Sequence, residues 1–235
     1  MVATVALTPR LRADDIFFPA MGLLILSIVV AGFWQTYFFA GMLRAKLPNT
    51  LVHIHGALYV SWILFVTIQP CLIAMGGVKW HTRLGVLGVI LPPLMVVLGI
   101  LTVFDFIRRD TDSGIPPQLF MAGNFTQLVL FVGLTSWGLL ARRHAASHKR
   151  LMILGTMAML GPAIARLPVP FDPLVIFGIQ LALPLLVVLY DLWSRRRVHR
   201  STAIAYVIVV AGLLAVFPVS SLGFWQPVVA WIHHS

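Results

Sequence analysis

Residues 84–106 read LGVLGVILPPLMVVLGILTVFDF, an apolar stretch with a single charge, Asp105, close to its far end. A helix needs about 20 mostly apolar residues to cross the hydrocarbon of a bilayer, and this stretch supplies them. Comparable runs lie on both sides of it. Upstream are Phe17 to Leu43 and about Leu51 to Val78. Downstream are about Gln118 to Ala141, Leu151 to Ala165, Pro173 to Trp193, and Ser201 to Ser221. The Leu151 run is short and needs its flanking residues to reach across. The pattern predicts an all-α polytopic membrane bundle of about seven transmembrane helices.

Composition points the same way. The 235 residues are 60% hydrophobic and 10% charged, against roughly 25% charged in soluble domains. Too little polar surface remains to cover a water-soluble body. The first run is too long for a signal-peptide core and lacks a cleavage site, so it reads as a retained span. The expected organisation is a cytoplasmic segment 1–16, a membrane domain 17–221 and an outer tail 222–235. Pro218 and Pro227 break the pattern near and beyond the last span. Trp225 and Trp231 mark the tail as interfacial, the depth tryptophan favours.

Lysines and arginines set the orientation. With seven spans, one side holds Arg10, Arg12, Lys79, Arg83, Arg142, Arg143, Lys149, Arg150, Arg195, Arg196, Arg197 and Arg200. The other holds Arg44, Lys46, Arg108, Arg109 and Arg166. Twelve against five places the first side in the cytoplasm, with the N-terminus in and the C-terminus out. A multi-pass protein of the bacterial inner membrane is the expectation. The net charge of +10 sits in the connections, where it meets anionic lipid head groups; a nucleic-acid partner is rejected.

Several chemistries are disfavoured. Cys71 is the single cysteine, which gives neither an intrachain disulfide nor zinc or iron–sulfur spacing, and it reads as a packing residue. All seven acids are aspartates, against a di-iron site of the Glu-x-x-His kind. No charge lies deep in a span, which argues against an ion-coupled pump. The deep polar residues are Gln35, Tyr59, Thr67, Gln69, Asn124, Gln127 and Gln180, expected to bond between helices. No nucleophile–base set or nucleotide fingerprint is present, and the chain does not read as an enzyme.

The most informative feature is a repeat. His81-Thr82-Arg83-Leu84-Gly85-Val86-Leu87-Gly88 opens the third span, and His148-Lys149-Arg150-Leu151-Met152-Ile153-Leu154-Gly155 opens the fifth. Both read H-x-R-L-x-x-L-G. Upstream, Ile63-Leu64-Phe65-Val66 echoes Val129-Leu130-Phe131-Val132. Spans two–three and four–five therefore read as two copies of one hairpin, related by an axis along the membrane normal. Such an axis sets His81 and His148 at one depth on helices running the same way. There they could bind the two faces of one haem iron or share another metal. Anchoring to lipid head groups explains the same residues and stays open. Arg83 and Arg150 point nearly opposite to their histidines, so lipid phosphate is their expected partner rather than haem propionates.

A second cluster is Val52-His53-Ile54-His55-Gly56. His53 and His55 face apart on a helix, whereas His55, Tyr59, Trp62 and Gln69 share one face. The repeat aligns His55 with about Met121, a pairing known for haem, and His55 is a second candidate cofactor residue. A metal site joining His53 or His55 to Asp105 or Asp172 is a further alternative. His144, His199, His233 and His234 fall in loops or the tail.

On these residues the chain resembles a group of uncharacterised bacterial multi-span membrane proteins with HG, HRRLG and HKRLM motifs followed by Gly-Pro-Ala. The matching elements are His55-Gly56, His81-Thr82-Arg83-Leu84-Gly85, His148-Lys149-Arg150-Leu151-Met152 and Gly161-Pro162-Ala163, within about residues 50 to 166. The H-x-R-L-M string is also similar to one in membrane proteins of cytochrome oxidase assembly, and the histidine arrangement resembles cytochrome b561. That resemblance implies haem b, but the fourth span has no histidine, which leaves at most one complete bis-histidine site. Three functions follow as expectations. The first is a haem- or metal-binding protein in electron transport or respiratory-complex assembly. The second is a non-catalytic subunit packed against other membrane subunits. The third is a carrier of a hydrophobic small molecule lined by Gln35, Asn124, Gln127 and Gln180.

Overall fold

The computed structural model describes residues 12–39, 49–109, 114–167 and 173–234. Arg10, Arg44, Lys46, Asp110, Asp112 and Asp172 lie outside them. The described residues form helices and no strand. These are α1 (Ala13–Phe33, continuing as a π-helical turn Trp34–Phe38), α2 (Thr50–Ala74), α3 (Val78–Leu84), α4 (Leu87–Arg108) and α5 (Pro117–Leu140). They continue as α6 (Ala145–Ala158), α7 (Gly161–Ile164), α8 (Pro173–Arg195), α9 (Arg200–Ser220) and α10 (Trp225–His234).

Among the described residues, six helical segments are long and apolar enough to cross a bilayer. Their outward faces carry apolar side chains, as on α4, where Val89, Ile90, Leu94, Val97 and Leu101 are exposed. Backbone donors and acceptors in hydrocarbon must be satisfied within the helix, and lipid meets these side chains without cost.

The fifth apolar run differs from the others. It is split into α6 and α7 around Met159 and Leu160, and every residue of α6 from Arg150 to Ala158 is buried. At 1.5 Å per residue α6 is about 21 Å long. It packs against α1, α2, α5, α8 and α9, so the shortest and least apolar run is the central one, shielded from lipid by its neighbours. Small residues allow the close approach. A Cβ on Gly155 would lie 3.0 Å from Thr135 Cγ2, and one on Gly138 would lie 3.1 Å from Met152 Sδ.

Paired contacts fix directions. On α2 and α4, Asn49 Nδ2 donates to Asp105 Oδ1 at 2.7 Å, and the Tyr59 hydroxyl donates to Met95 O at 2.9 Å. These helices are antiparallel. Gly88 faces Leu139 and Gly99 faces Leu128, so α4 and α5 are antiparallel as well. The glycine contacts just given make α5 and α6 antiparallel too. Hence α4 and α6 run the same way, in the relation the repeat led us to expect.

The structure revises one sequence-based expectation. Arg150 and Asp191 are charged, and both are buried inside the protein, at 1% and 0% side-chain exposure. Arg150 Nε donates to Asp191 Oδ1 at 2.9 Å, and Nη2 donates to the same oxygen. Thr202 Oγ1 (2.6 Å) and the His199 N–H (3.0 Å) complete the carboxylate shell. Arg150 therefore turns inward to a carboxylate, not outward to lipid phosphate. Arg83, at the matching place in the repeat, is exposed with its guanidinium 5.4 Å from the Trp80 ring centre. The two strings are alike and their environments are opposite, because only the second faces an acid.

The tail also forms more structure than its prolines suggest. In α10, Pro227 stands in the first turn, where a missing N–H is tolerated. Trp225, Val229 and Ile232 pack with Val103, Ile107 and Met121, while Trp231 stays exposed.

Candidate functional site

One end of the bundle gathers the start of α1, the end of α2, α3, the starts of α6 and α9, and the end of α8. It holds Arg12, Lys79, Arg83, Arg142, Arg143, Lys149, Arg150, Arg195, Arg196, Arg197 and Arg200. Lys149 pairs with Asp14, whose other oxygen accepts from the Tyr190 hydroxyl at 2.6 Å. Lys149 Nζ also lies 4.8 Å from the Phe18 ring centre. Ser201 Oγ meets Ser147 Oγ at 3.0 Å. This polar layer clamps α6 to α1, α8 and α9 and sets the height of its first turns.

Those turns carry His148. Its Nδ1 lies 2.8 Å from the Gly138 carbonyl, and only a protonated nitrogen can bond there. In the neutral ring the proton is then on Nδ1 and the lone pair on Nε2. His81 stands on α3, where the chain turns between α2 and α4. The two ring centres are 6.3 Å apart with planes at 87°. Two imidazoles on opposite sides of one ion, each nitrogen about 2 Å from it, place their ring centres about 6 Å apart. His148 also has the outer-sphere bond that ligating histidines make, an N–H given to a backbone carbonyl.

Ligand count narrows the chemistry. Among the described residues no group of three or more His, Cys, Asp or Glu could hold a metal ion. Two imidazoles fall short of the four ligands of a structural zinc site.

The other candidates are separated. His55 stacks on Tyr59 with ring centres 4.0 Å apart. Met121 is fully buried in the apolar cluster under α10. His53 is exposed and lies against Tyr37 at 6.0 Å. Asp105 is engaged by Asn49 and by Arg109 Nε at 2.9 Å. Three of the four amides have separate surroundings. Asn124 donates to Phe120 O, Gln127 bonds Gly123 O and the Gly161 N–H, and Gln35 is exposed.

Sequence reading overlooked the buried Arg150–Asp191 pair and the state of Gln69. Both amide atoms of Gln69 are buried without a hydrogen-bond partner. Gln69 was legible as an interior residue by its spacing from Trp62, which is fully buried and donates through Nε1 to Thr156 Oγ1 at 3.2 Å. Comparison with family models, curated proteins and solved structures returns no match to this chain, so the chemistry of the site rests on its own geometry.

Proposed function

We propose that this is a seven-span membrane protein that binds one b-type haem between His81 and His148 near the cytoplasmic face and carries electrons, on its own or within a respiratory assembly. The observation that carries the reading is the 6.3 Å spacing of the two rings. In this reading α6 and α7 together supply the seventh crossing. The eleven described cations at the histidine end favour that end as cytoplasmic, and the bacterial inner membrane is the proposed location.

A haem held by His81 and His148 would supply one-electron chemistry at its iron. The chain's own residues do the rest. His148 keeps its Nδ1 proton on Gly138 O and presents Nε2. Arg150 cannot serve a haem carboxylate, because Asp191 occupies it. Lys79 and Arg83, two positions either side of His81, face nearly the other way on its helix, so lipid phosphate remains their expected partner. The uncharacterised family with HRRLG and HKRLM motifs, and the likeness to cytochrome b561 and oxidase assembly proteins, are consistent with this use of the histidines.

The direct test is composition. Protein expressed with haem supply and purified in mild detergent should yield about one haem b per chain by pyridine haemochrome assay, with stoichiometric iron. Protein free of haem and iron under those conditions overturns the proposal. Topology is tested separately with reporter fusions after Arg142 and after Arg166, which should report cytoplasm and exterior respectively.

A further inference from the structure

Of the seven residues of α3, six are exposed and only His81 is partly covered by the protein. The main packing of this helix is against α2, and it approaches α6 through the His81 ring. Gly76, at φ +78°, makes the turn into it, and Gly85 ends it. Isolated helices shorter than about 12 residues are marginal in water. A segment this short, with one side chain turned to the protein, needs support on its other side.

That other side has the chemistry of a membrane surface. At about 100° per residue, Lys79 and Arg83 stand nearly opposite His81. Neither forms an ion pair within the protein among the described residues. Exposed Trp80 lies under the Arg83 guanidinium, and tryptophan favours head-group depth. Val78, Leu84 and Val86 are exposed as well and lead into the outward-facing Val89 and Ile90 of α4. Apolar side chains below a row of cations and an aromatic ring are what an interfacial helix presents to anionic lipid.

The second copy of the repeat is held in another way. Lys149 pairs with Asp14 and Arg150 with Asp191, so the protein's own acids fix the turn that carries His148. Arg83, which matches Arg150, has no such acid.

We infer that anionic phospholipid head groups take the place of those acids: they bind Lys79 and Arg83, seat α3 on the leaflet at that end and so hold His81 against His148. The consequence for haem rests on the bis-histidine reading above; the seating of α3 does not, and the experiment separates the two. Full-length protein is placed in nanodiscs of phosphatidylcholine, alone or mixed with phosphatidylglycerol. Wild type is compared with Lys79→Gln/Arg83→Gln and with Arg142→Gln/Arg143→Gln, which removes two exposed cations at the same end but off α3.

In the haem-free protein, NMR cross-relaxation between the His81 and His148 ring protons, assigned with His81→Gln and His148→Gln, should be strong in anionic discs and weak in neutral ones. The Arg142/Arg143 variant should behave as wild type, and the Lys79/Arg83 variant should be weak in both. Haem affinity should fall by up to about thirtyfold from anionic to neutral discs in wild type, since each cation near an anionic surface contributes a factor of roughly five. It should not depend on lipid charge in the Lys79/Arg83 variant. A ring contact of equal strength in both lipids, or one equally lipid-sensitive without Lys79 and Arg83, overturns the role of lipid and leaves the haem reading untouched. A lipid-dependent ring contact in a protein that takes up no haem keeps the lipid role and removes the haem.

Discussion

Arg150 and Asp191, 41 positions apart, meet in the interior with neither side chain exposed, and the guanidinium engages the carboxylate through Nε and Nη2. The pair joins α6 to the end of α8, and Thr202 brings in α9. Breaking a buried pair leaves one uncompensated charge, which typically costs about 3–5 kcal/mol, while replacing both partners with apolar residues is often neutral. Asp191→Ala should therefore lower the unfolding free energy in detergent by roughly that amount. The Arg150→Met/Asp191→Leu double variant should recover most of the loss. Equal losses in the single and double variants would show that packing, not the charge, decides.

The closest approach of α2 to α4 is a second test. Tyr59 Oη reaches Met95 O past Gly99, where a Cβ would lie 2.6 Å from that hydroxyl. Gly99→Ala forces the side chain to move, an overpacking cost of about 1–3 kcal/mol. Removing the hydroxyl should relieve it, so Gly99→Ala/Tyr59→Phe should unfold later than Gly99→Ala alone. A double variant that is simply the sum of two losses would contradict this packing.

His199 gives a pH dependence. It lies in the connection between α8 and α9, and its Nδ1 accepts from the Ser201 N–H at 3.2 Å, capping α9. Burial, with Arg150 and Arg195 nearby, holds the imidazole below the ordinary histidine range. The folded state thus resists a proton that the unfolded chain takes up near pH 6.5. The contribution to stability is complete above that pH and is lost as pH falls below it. Thermal unfolding scans from pH 8 to 5 should show this decline, and His199→Asn, which retains a cap acceptor, should flatten it. An identical slope in both proteins would assign the pH dependence elsewhere.

These residues also show what the sequence carries. Apolar run lengths disclosed the long helices, because the bilayer's thickness sets one simple requirement. The H-x-R-L-x-x-L-G repeat pointed to two helices running the same way, α4 and α6, but the first copy breaks at Gly85 and leaves His81 on the separate α3, whereas the second lies within α6. It could not disclose that Arg83 stays outside while Arg150 turns inward. That difference depends on Asp191, which is distant in sequence and lies at the end of another helix. The central place of α6 was likewise hidden, since a short run with a polar start reads as a weak span until five neighbours are seen to cover it. Gln69 was readable as interior, but its missing partner is a property of three-dimensional surroundings.

The most direct test of the bis-imidazole site is the reduced-minus-oxidised absorbance spectrum of purified wild type, His81→Ala, His148→Ala and His55→Ala proteins. A low-spin b-type spectrum in wild type and His55→Ala, lost or converted to high spin in both His81→Ala and His148→Ala, is the predicted result. A wild-type protein without a Soret band, or a spectrum that survives loss of His81 and of His148, would contradict it.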